Sequence, residues 1–342
     1  MKALRKLAEG YNQMALVEVN EVFPSDGELK LRVIYTGICG SDIHGFKGEY
    51  NKKIPLTLGH EFVGEVVDIG HSSSLYKVGD IVVSETTFET CEKCSYCNEQ
   101  EYNLCSDRKG LGTQVDGSFA EFVLVKEKRC HLIPKEIDNK IAAMLEPLAC
   151  CIHAVKEKTI VSPNEKIVVF GPGPIGILLA TVLVSLNIEV LLVGTARDAK
   201  RLALAKELGI AHTLIVQKDD VEAFVQTWTN GIGADQIFEC SGSIHAVHQA
   251  MQIIKKKGTI IQEGLFATTM NEINMDDLIH KEICYVGSRT QKPSSWKSAI
   301  QWLVDTNMDL SPIVTAILPL DEWEAAFRLA MNGEELKILM KP

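Results

Sequence analysis

The sequence predicts an α/β protein with a mainly-β domain and a doubly wound parallel-sheet domain. Up to about residue 150, short strand-like runs broken by Gly and Asp, such as "FVGEVVDIG", are typical of a twisted or barrel-like β domain. From about residue 163, apolar strands alternate with amphipathic helices, which indicates βαβ units. Near residue 290 the pattern changes to helices outside that sheet, as in "SSWKSAIQWLVD". We expect a nucleotide-type domain at 153–289, between parts 1–152 and 290–342 of a catalytic domain.

Composition and charge restrict the class of protein. The chain has 342 residues, and 46% of them are hydrophobic, which is ample for a buried core. The net charge of −10 argues against nucleic-acid binding, because affinity for a phosphate backbone comes mainly from Lys and Arg. The N-terminus "MKALRKLAEG" does not have the pattern of a secretion signal, and the apolar run "IGILLATVLVSL" is too short to span a bilayer. We expect a cytoplasmic protein with no nucleic-acid or membrane partner.

A glycine-rich turn follows the first strand of the nucleotide-type domain. The segment "VVFGPGPIG" gives the spacing Gly171-x-Gly173-x-x-Gly176, with Pro174 opening a long apolar helix. In this context Gly171 permits the tight turn, Gly173 lets the backbone approach a pyrophosphate, and Gly176 lets the helix pack against the sheet. The helix N-terminus supplies N–H groups and partial positive charge for phosphates. The turn therefore predicts a dinucleotide cofactor, the alternative being a glycine-rich turn with no ligand.

The end of the next strand bears on which dinucleotide binds. NAD-binding domains place an acidic residue there, which binds the ribose 2′-hydroxyl and repels a 2′-phosphate. The segment "EVLLVGTARDAKRL" instead has Thr195, Ala196 and Arg197, with Arg201 one turn into the helix. Small and basic residues leave room for a 2′-phosphate and offer it a guanidinium. We expect NADP(H) rather than NAD(H), the alternative being that Asp198 caps the helix and Arg197 is solvated.

Metal-ligating residue types cluster in the first half of the chain. The segments "GICGSDIHGFKGEY", "LGHEFVGEVVDIG" and "AAMLEPLACCIHAV" contain Cys39, Ser41, His44, His60, Glu61 and Glu146. A thiolate, an imidazole and one or two carboxylates form a zinc-type ligand set, and an open position makes such a site catalytic. Each residue alone has a structural interpretation, such as a core cysteine or an acid at a helix start. Together, beside a dinucleotide turn, they predict a catalytic metal site.

A second cluster contains four cysteines within "TCEKCSYCNEQEYNLC". These are Cys91, Cys94, Cys97 and Cys105. Their spacing is compatible with disulfides, an iron–sulfur cluster, a nucleic-acid-binding zinc finger or a structural zinc site. A reducing cytosol disfavours disulfides, and acidic neighbours such as Glu92 and Glu99 disfavour nucleic acid, while the spacing leaves an iron–sulfur cluster chemically possible. The remaining cysteines are expected to be small buried hydrophobic residues: Cys130, Cys150, Cys151, Cys240 and Cys284.

These motifs resemble those of the zinc-dependent medium-chain dehydrogenase/reductase family, and within it the polyol branch typified by sorbitol (L-iditol) dehydrogenase. The resemblance runs nearly end to end and covers "GICGSDIH", "GHEFVGEV", the four-cysteine segment, "LEPLAC" and "GPGPIG". It implies a GroES-like catalytic domain with a zinc lobe at about 86–110, and a Rossmann NAD(P)-binding domain. It also implies two Zn²⁺ ions per chain, a structural one held by the four cysteines and a catalytic one held by Cys39, His60 and Glu61. Glu146 is then a further ligand or binds that zinc through water, where alcohol dehydrogenases have a cysteine and threonine dehydrogenases an aspartate.

The resemblance also implies roles around the cofactor and in proton transfer. It places these residues at the cofactor: Ile175, Arg201, Glu263, Gly264, Leu265, Ser288 and Arg289. In polyol enzymes an arginine near Arg289 also reaches the substrate, but a short insertion before Trp296 weakens that assignment. Ala196 matches the NADP-preferring members. Ser41, the cofactor ribose and His44 form a proton relay to solvent, and a zinc water linked to Glu146 is the rival route.

The expected function is reversible hydride transfer between a polyol or secondary alcohol and NAD(P), by a homotetramer or homodimer. Threonine, butanediol, glucose and sugar-phosphate dehydrogenases share the motifs. Glu146 favours polyols over threonine as substrates. Few Lys or Arg flank the ligand motifs, which disfavours a phosphorylated substrate, although Lys47 and Lys52 are two cations that leave this alternative open. A non-catalytic NADP(H)-binding protein is disfavoured by the intact set of candidate zinc ligands. A zinc-free quinone reductase is excluded by the presence of both cysteine sets.

Overall fold

The computed structural model describes residues 1–49, 53–70, 75–333 and 335–342, which form two compact units. The first unit contains Met1–Ala149 and Gln291–Pro342, and the second contains Cys150–Thr290. The chain thus divides at 149/150 and 290/291, where the sequence predicted 152/153 and 289/290. No helix among the described residues is long and apolar enough to cross a membrane.

The N-terminal part of the first unit is mainly β-structure. Its strands are β1 (Lys2–Lys6), β2 (Met14–Glu18), β3 (Glu28–Gly37), β4 (Leu56–Thr57), β5 (Glu61–Ile69), β6 (Ile81–Ser84), β7 (Thr87–Glu89), β8 (Lys109–Gly110), β9 (Phe122–Lys126) and β10 (Cys130–Leu132). Its helices are α1 (Gly40–Lys47), α2 (Ser95–Asn98) and α3 (Asn139–Ala142), and a fourth helix, α4 (Leu145–Glu157), begins in this unit and continues into the second. The four-cysteine segment lies between β7 and β8, which pair with each other in an antiparallel hairpin.

The second unit is a doubly wound parallel sheet, as the sequence predicted. Its strands are β11 (Lys166–Phe170), β12 (Glu189–Gly194), β13 (His212–Ile215), β14 (Ala234–Glu239), β15 (Ile254–Gln262) and β16 (Cys284–Gly287). Its helices are α5 (Pro174–Ser185), α6 (Ala199–Glu207), α7 (Val221–Trp228), α8 (Ile244–Ile253) and α9 (Met275–His280). The strands are all parallel in the order β13-β12-β11-β14-β15-β16, so the order reverses between β11 and β14. That arrangement is the 3-2-1-4-5-6 order of dinucleotide-binding folds.

Continuous apolar runs explain why these segments are central strands and a buried helix. β11 buries every residue from Ile167 to Phe170, because helices cover both faces of such a sheet. Helix α5 begins at Pro174, whose missing N–H is no loss in the first turn, and buries Gly176–Leu183. The carboxyl ends of the parallel strands all face one edge of the sheet, and the loops that follow them carry the predicted dinucleotide residues.

The C-terminal part of the chain completes the first unit. It contains helices α10 (Pro293–Thr306) and α11 (Trp323–Asn332) and strands β17 (Val314–Pro319) and β18 (Lys337–Lys341). The larger sheet of this unit has the order β10-β6-β5-β3-β18-β17, with β9 also paired to β3, and a smaller one has the order β2-β1-β4. The register pairs Gly37 of β3 with Leu339 of β18 on one side and with Glu61 of β5 on the other. This pairing brings the start of β18 close to the start of β5.

Candidate active site and metal centres

A thiol, an imidazole and a carboxyl group converge at the C-terminal end of β3. The sulfur of Cys39, a ring nitrogen of His60 and a carboxylate oxygen of Glu61 all lie within 4.8 Å of one another. Cys39 follows β3 and precedes α1, while His60 and Glu61 stand at the start of the neighbouring strand β5. His60 is 9% exposed and Glu61 2% exposed, so the three donors meet in a buried place. The structure therefore brings together the three predicted ligands.

Asp42 lies directly behind His60. Its carboxylate accepts the backbone N–H of Cys39 at 3.0 Å and that of Gly59 at 3.3 Å, and it lies 3.9 Å from Nδ1 of His60. Burial raises the pKa of Asp42. Burial lowers the pKa of His60, but the charges of Asp42 and Cys39 outweigh it and hold that pKa well above its usual value. Sequence reasoning missed Asp42, although its position in "GSDIH" is a signal for it.

Lys337 of β18 is buried against Glu61. Its Nζ contacts the carboxylate of Glu61 and donates to the carbonyl of Ile38 at 3.2 Å, and both charged side chains are 2% exposed. Burial lowers the pKa of Lys337, but the charges of Glu61 and Cys39 raise it by more, so the ammonium stays charged. A Cβ on Gly37 would lie 2.5 Å from Oε2 of Glu61, so this glycine leaves the space that the carboxylate occupies. Lys337 is 276 positions from Glu61 and has no sequence signal.

Glu146 lies beside these residues without belonging to the group of three. It stands in the first turn of α4, is 7% exposed, and accepts a hydrogen bond from Nε2 of Gln291 at 2.8 Å. Burial raises the pKa of Glu146 to about 7; Glu61 adds to the rise and His60 opposes it. Glu146 is therefore close enough for its charge to interact with both His60 and Glu61.

The donor set fits a zinc ion. Thiolate sulfur, imidazole nitrogen and carboxylate oxygen are the donors that zinc takes in catalytic sites. Nδ1 of His60 faces the carboxylate of Asp42 at 3.9 Å, which leaves the other ring nitrogen for a metal ion. With Glu146 as a further oxygen donor nearby, Cys39, His60 and Glu61 could hold the ion.

The four-cysteine segment forms a separate sulfur cluster. All four Sγ atoms lie within 4.8 Å of one another, with Cys91 and Cys97 3.8 Å apart and Cys91 and Cys105 3.7 Å apart. All ten cysteines are free thiols. Sulfurs at a tetrahedral zinc with Zn–S bonds of about 2.3 Å are about 3.8 Å apart, which matches this spacing. Backbone N–H groups of Lys93 and Cys94 lower the pKa of the Cys91 thiol to about 6. The geometry thus favours a closed metal site over disulfides.

The other cysteines are not all core residues, contrary to our expectation. Cys130, Cys150 and Cys151 are buried, but Cys240 is half-buried and Cys284 is exposed. Cys284 lies on β16, which pairs only with β15 in the described part of the sheet and forms its edge. An edge strand covered on one side leaves such a side chain open to solvent, and the apolar sequence around it gave no sign of this.

The predicted proton-relay residues lie on one short helix. Ser41 in the first turn of α1 is half-buried, and His44 follows it by three positions, so both are on one face. The His44 side chain is 43% exposed, and its Nδ1 lies 2.5 Å from the carboxylate of Glu49. That hydrogen bond lowers the pKa of Glu49. His44 therefore reaches the surface, as an outer base would.

The glycine-rich turn has the strained geometry that its motif requires. Gly171 has a φ of +95°, and a Cβ there would lie 2.8 Å from the backbone N of Ser241. A Cβ on Gly176 would lie 1.9 Å from the carbonyl oxygen of Gly171. Gly173, the N-cap of α5, has no atom within 4 Å of its Cβ position. The open space at Gly173 beside a helix N-terminus fits a pyrophosphate, while Gly171 and Gly176 serve the turn itself.

The turn after β12 carries the residues predicted to distinguish the two dinucleotides. The carboxylate of Asp198 accepts the backbone N–H of Thr195 at 2.9 Å and its hydroxyl at 2.7 Å, which closes a capping box. The N–H of Ala196 donates to Oε1 of Gln217 at 2.8 Å. Arg197 is exposed. Nη1 of Arg201 lies 3.6 Å from the carboxylate of Asp198, and burial lowers the pKa of Arg201. Asp198 thus caps this turn, and a guanidinium is exposed beside it.

The remaining predicted cofactor residues follow β15 and β16 at the same edge of the sheet. The N–H groups of Glu263 and Gly264 donate to the carbonyl of Glu239 at 2.9 and 2.8 Å. A Cβ on Gly264 would lie 2.2 Å from N of Gly242, so these two loops touch backbone to backbone. Along the same edge lie Ile175 in α5, the 84%-exposed Leu265, and Ser288 and Arg289 after β16. These predicted dinucleotide residues therefore lie at the edge of the sheet where the parallel strands end.

Comparisons with known proteins agree with both units. Residues 25–135 match the alcohol dehydrogenase GroES-like domain, and residues 174–305 match the zinc-binding dehydrogenase domain. The chain is 43% identical to D-arabitol-phosphate dehydrogenase of Enterococcus avium, over 100% of this chain and 97% of that protein. It is 44% identical to a sorbitol dehydrogenase of Halalkalibacterium halodurans, over 100% and 99% of the two chains.

A solved structure is similar along the whole chain. The crystal structure of 2R,3R-butanediol dehydrogenase from Bacillus subtilis superposes with a TM-score of 0.88 at 29% identity, covering 100% of this chain and 99% of that one. Two matching domain models and relatives above 40% identity over the full length fix the family. The chain belongs to the zinc-dependent medium-chain dehydrogenase/reductase family and is a zinc- and nicotinamide-dependent dehydrogenase of the alcohol and polyol class.

Proposed function

We propose that this protein oxidises a secondary hydroxyl group of a polyol to a ketone, reversibly, with NADP(H) as its coenzyme. The observation that carries the proposal is the buried group of Cys39, His60 and Glu61 with Glu146 beside it. Similarity to a sorbitol dehydrogenase at 44% identity over the whole chain supports a polyol as substrate.

The proposal assigns the two metal-binding groups to different tasks. Cys39, His60 and Glu61 would hold a catalytic zinc, with Glu146 as a direct or water-bridged ligand. Cys91, Cys94, Cys97 and Cys105 would hold a second, structural zinc, because four thiolates leave no position for substrate. A zinc ion held there would supply Lewis acidity to the reacting hydroxyl, and a bound nicotinamide would be the acceptor for the hydride of the carbinol carbon, while the hydroxyl proton leaves separately.

The chain's own groups would bind and orient the zinc ligands and carry the proton away. Asp42 orients the ring of His60 from behind, and Lys337 compensates one negative charge of the thiolate and carboxylate donors. Ser41, the cofactor ribose and His44 would pass the proton from the buried site to solvent, with His44 as the outer base, since its side chain is exposed and paired with Glu49. A zinc-bound water linked to Glu146 would be the alternative proton route, because Glu146 lies close enough for its charge to interact with His60 and Glu61.

The preference for NADP(H) is supported by the turn after β12. Thr195, Ala196 and Arg197 leave no carboxylate at the strand end itself, and Asp198 is engaged with Thr195. Arg197, exposed, and Arg201, one turn on, are guanidinium groups that a 2′-phosphate could engage. We also expect a homodimer or homotetramer and a cytoplasmic location.

A phosphorylated polyol is the second candidate substrate. The observation that favours it is 43% identity to a D-arabitol-phosphate dehydrogenase over the full chain. Lys47, exposed in the last turn of α1, is one cation that could meet a phosphate. The other lysine singled out in the sequence, Lys52, lies outside the described residues.

A substrate panel with both coenzymes tests the proposal. It contains sorbitol, xylitol, arabitol, butanediol, threonine and the matching polyol phosphates, each assayed with NADP⁺ and NAD⁺. We expect the highest kcat/KM for a free polyol with NADP⁺. A higher kcat/KM for a polyol phosphate would establish the second candidate, and a clear advantage of NAD⁺ would refute the coenzyme assignment. Turnover with threonine alone would refute the polyol assignment.

A further inference from the structure

An unbroken series of hydrogen bonds connects the four-cysteine segment to Glu146. Nη2 of Arg108 donates to Oγ1 of Thr86 at 2.9 Å, and Oγ1 of Thr86 donates to Oε1 of Gln291 at 3.3 Å. Nε2 of Gln291 then donates to Oε1 of Glu146 at 2.8 Å. We call this series, Arg108–Thr86–Gln291–Glu146, the carboxylate chain. All its members belong to the first unit.

The direction of donation along the carboxylate chain is fixed by chemistry. A guanidinium can only donate, so Thr86 accepts from Arg108, and its own proton is available to the carbonyl oxygen of Gln291 at 3.3 Å. Gln291 accepts at its carbonyl oxygen and therefore turns its NH₂ group to Glu146. The series begins on a cation and ends on a carboxylate, the arrangement in which successive hydrogen bonds strengthen one another.

The carboxylate chain is buried and held at several points. Thr86, Gln291 and Glu146 are 4%, 3% and 7% exposed, so a broken link here leaves polar groups without water. The carbonyl of Thr86 also accepts the N–H of Leu111 at 2.9 Å. Arg108 uses its Nε as well, donating to the hydroxyl of Thr87 at 2.8 Å.

The first member of the carboxylate chain, Arg108, is held by the four-cysteine cluster. The N–H of Arg108 donates to the carbonyl of Cys105 at 3.1 Å, so the last cysteine of the cluster fixes the backbone from which Arg108 extends. Arg108 directly precedes β8, whose partner β7 begins one residue after Thr86. The cluster, the hairpin and the carboxylate chain are therefore one continuous support.

We propose that Arg108, Thr86 and Gln291 are positioning residues that hold the carboxylate of Glu146 in place for the reaction. The four-cysteine cluster then serves catalysis at a distance, by anchoring the first donor of the series. This inference rests on the proposed function, in which Glu146 is a ligand of the catalytic zinc or binds it through water.

The test compares substitutions of two nearby threonines, Thr86 in the carboxylate chain and Thr90 outside it. Thr86→Val removes the central hydroxyl at constant shape, and Thr86→Ser keeps a hydroxyl. Thr90→Val is the matched control, because the buried hydroxyl of Thr90 has no hydrogen-bond partner among the described residues. The readouts are kcat, KM, the melting temperature, and the rate at which the zinc-loaded protein releases zinc to a chromogenic chelator.

We expect Thr86→Val to lower kcat and to speed release of the catalytic zinc by about three- to tenfold, the usual range for one hydrogen bond. Thr86→Ser should restore both, and Thr90→Val should match the parent protein. The effect of Thr86→Val on zinc release should vanish in a Glu146→Ala background, because both changes disable the same group. If Thr86→Val does not fold, Gln291→Met replaces it in the same measurements, because it removes the amide that donates to Glu146 and should also lower kcat and speed zinc release.

Two results would overturn the proposal. One is equal zinc release and turnover in Thr86→Val and Thr90→Val. The other is an undiminished effect of Thr86→Val when Glu146 is already alanine. Failure of the proposed function looks different, since the parent protein would then oxidise no alcohol while zinc release still reports on the carboxylate chain.

Discussion

Alanine substitutions at two glycines of the phosphate-binding turn should have different effects: one should lower the stability of the fold and the other the affinity for the cofactor. A Cβ on residue 176 would lie 1.9 Å from the carbonyl oxygen of Gly171, and a Cβ on residue 173 would meet no atom within 4 Å. Ordinary van der Waals contact begins near 3.4 Å, so Gly176→Ala requires the turn or the helix to move by about 1.5 Å. We expect the free energy of unfolding to fall by roughly 1–3 kcal/mol or more, as in overpacked cores.

Gly173→Ala should leave the fold intact. The backbone at Gly173 is extended, with φ −76° and ψ −179°, which alanine adopts without strain. Its methyl group would instead occupy the space through which a pyrophosphate approaches the backbone, and we expect the Kd for NADPH to rise at least about tenfold, a loss of about 1.4 kcal/mol.

Urea denaturation and NADPH fluorescence titration of the two variants measure these effects separately. The expected pattern is lost stability in Gly176→Ala and lost affinity with unchanged stability in Gly173→Ala. Tight NADPH binding by Gly173→Ala would refute the placement of the pyrophosphate. An undiminished stability of Gly176→Ala would refute the packing argument.

Two further substitutions test buried charge and alkaline stability. In the zinc-free protein, Lys337→Met should lower the free energy of unfolding by roughly 3–5 kcal/mol, because the buried carboxylate of Glu61 then has neither the ammonium nor a metal ion to pair with. Lys337→Arg should retain most of the parent protein's free energy of unfolding when both variants are measured by urea denaturation. Equal losses of this free energy in the two variants would contradict an ion-pair role for Lys337. Tyr285 donates to Gln262 at 2.6 Å, and burial raises its pKa from 10.0 to about 12. The folded state thus binds this proton more tightly than the unfolded state does. The contribution of Tyr285 to stability is therefore complete below pH 10 and is lost as the pH rises towards 12. Melting temperatures at pH 9 and 11 should fall less in Tyr285→Phe than in the parent protein, and equal falls would count against this contribution.

The fold could be predicted because its signals are local. Unbroken apolar strands, the alternation of strand and helix after residue 163 and the spacing around Gly171 each require only neighbouring residues. The same holds for the sulfur cluster, whose members lie within fifteen positions. Cys39, His60 and Glu61 were recognisable because each has a motif, although their convergence depends on the pairing of β3 with β5.

The partners of these ligands could not be predicted, because they are distant in sequence and chemically common. Lys337 reaches Glu61 only through the antiparallel pairing of β18 with β3. Gln291 reaches Glu146 across 145 positions, and nothing in "SRTQKPSS" distinguishes it from a surface glutamine. The exposure of Cys284 likewise depends on β16 being the edge of the sheet, a property of topology and not of the local pattern.

Zinc content and turnover of Cys39→Ser and Cys94→Ser, measured side by side, test the central claim most directly. The claim is that the chemistry belongs to Cys39, His60 and Glu61, and that the four-cysteine cluster is structural. We predict two zinc ions per parent chain and one in each variant. Cys39→Ser should oxidise no polyol, while Cys94→Ser should melt at a lower temperature than the parent protein and keep the zinc at Cys39. A parent protein with one zinc per chain that persists in Cys94→Ser, or full turnover by Cys39→Ser, would contradict the account.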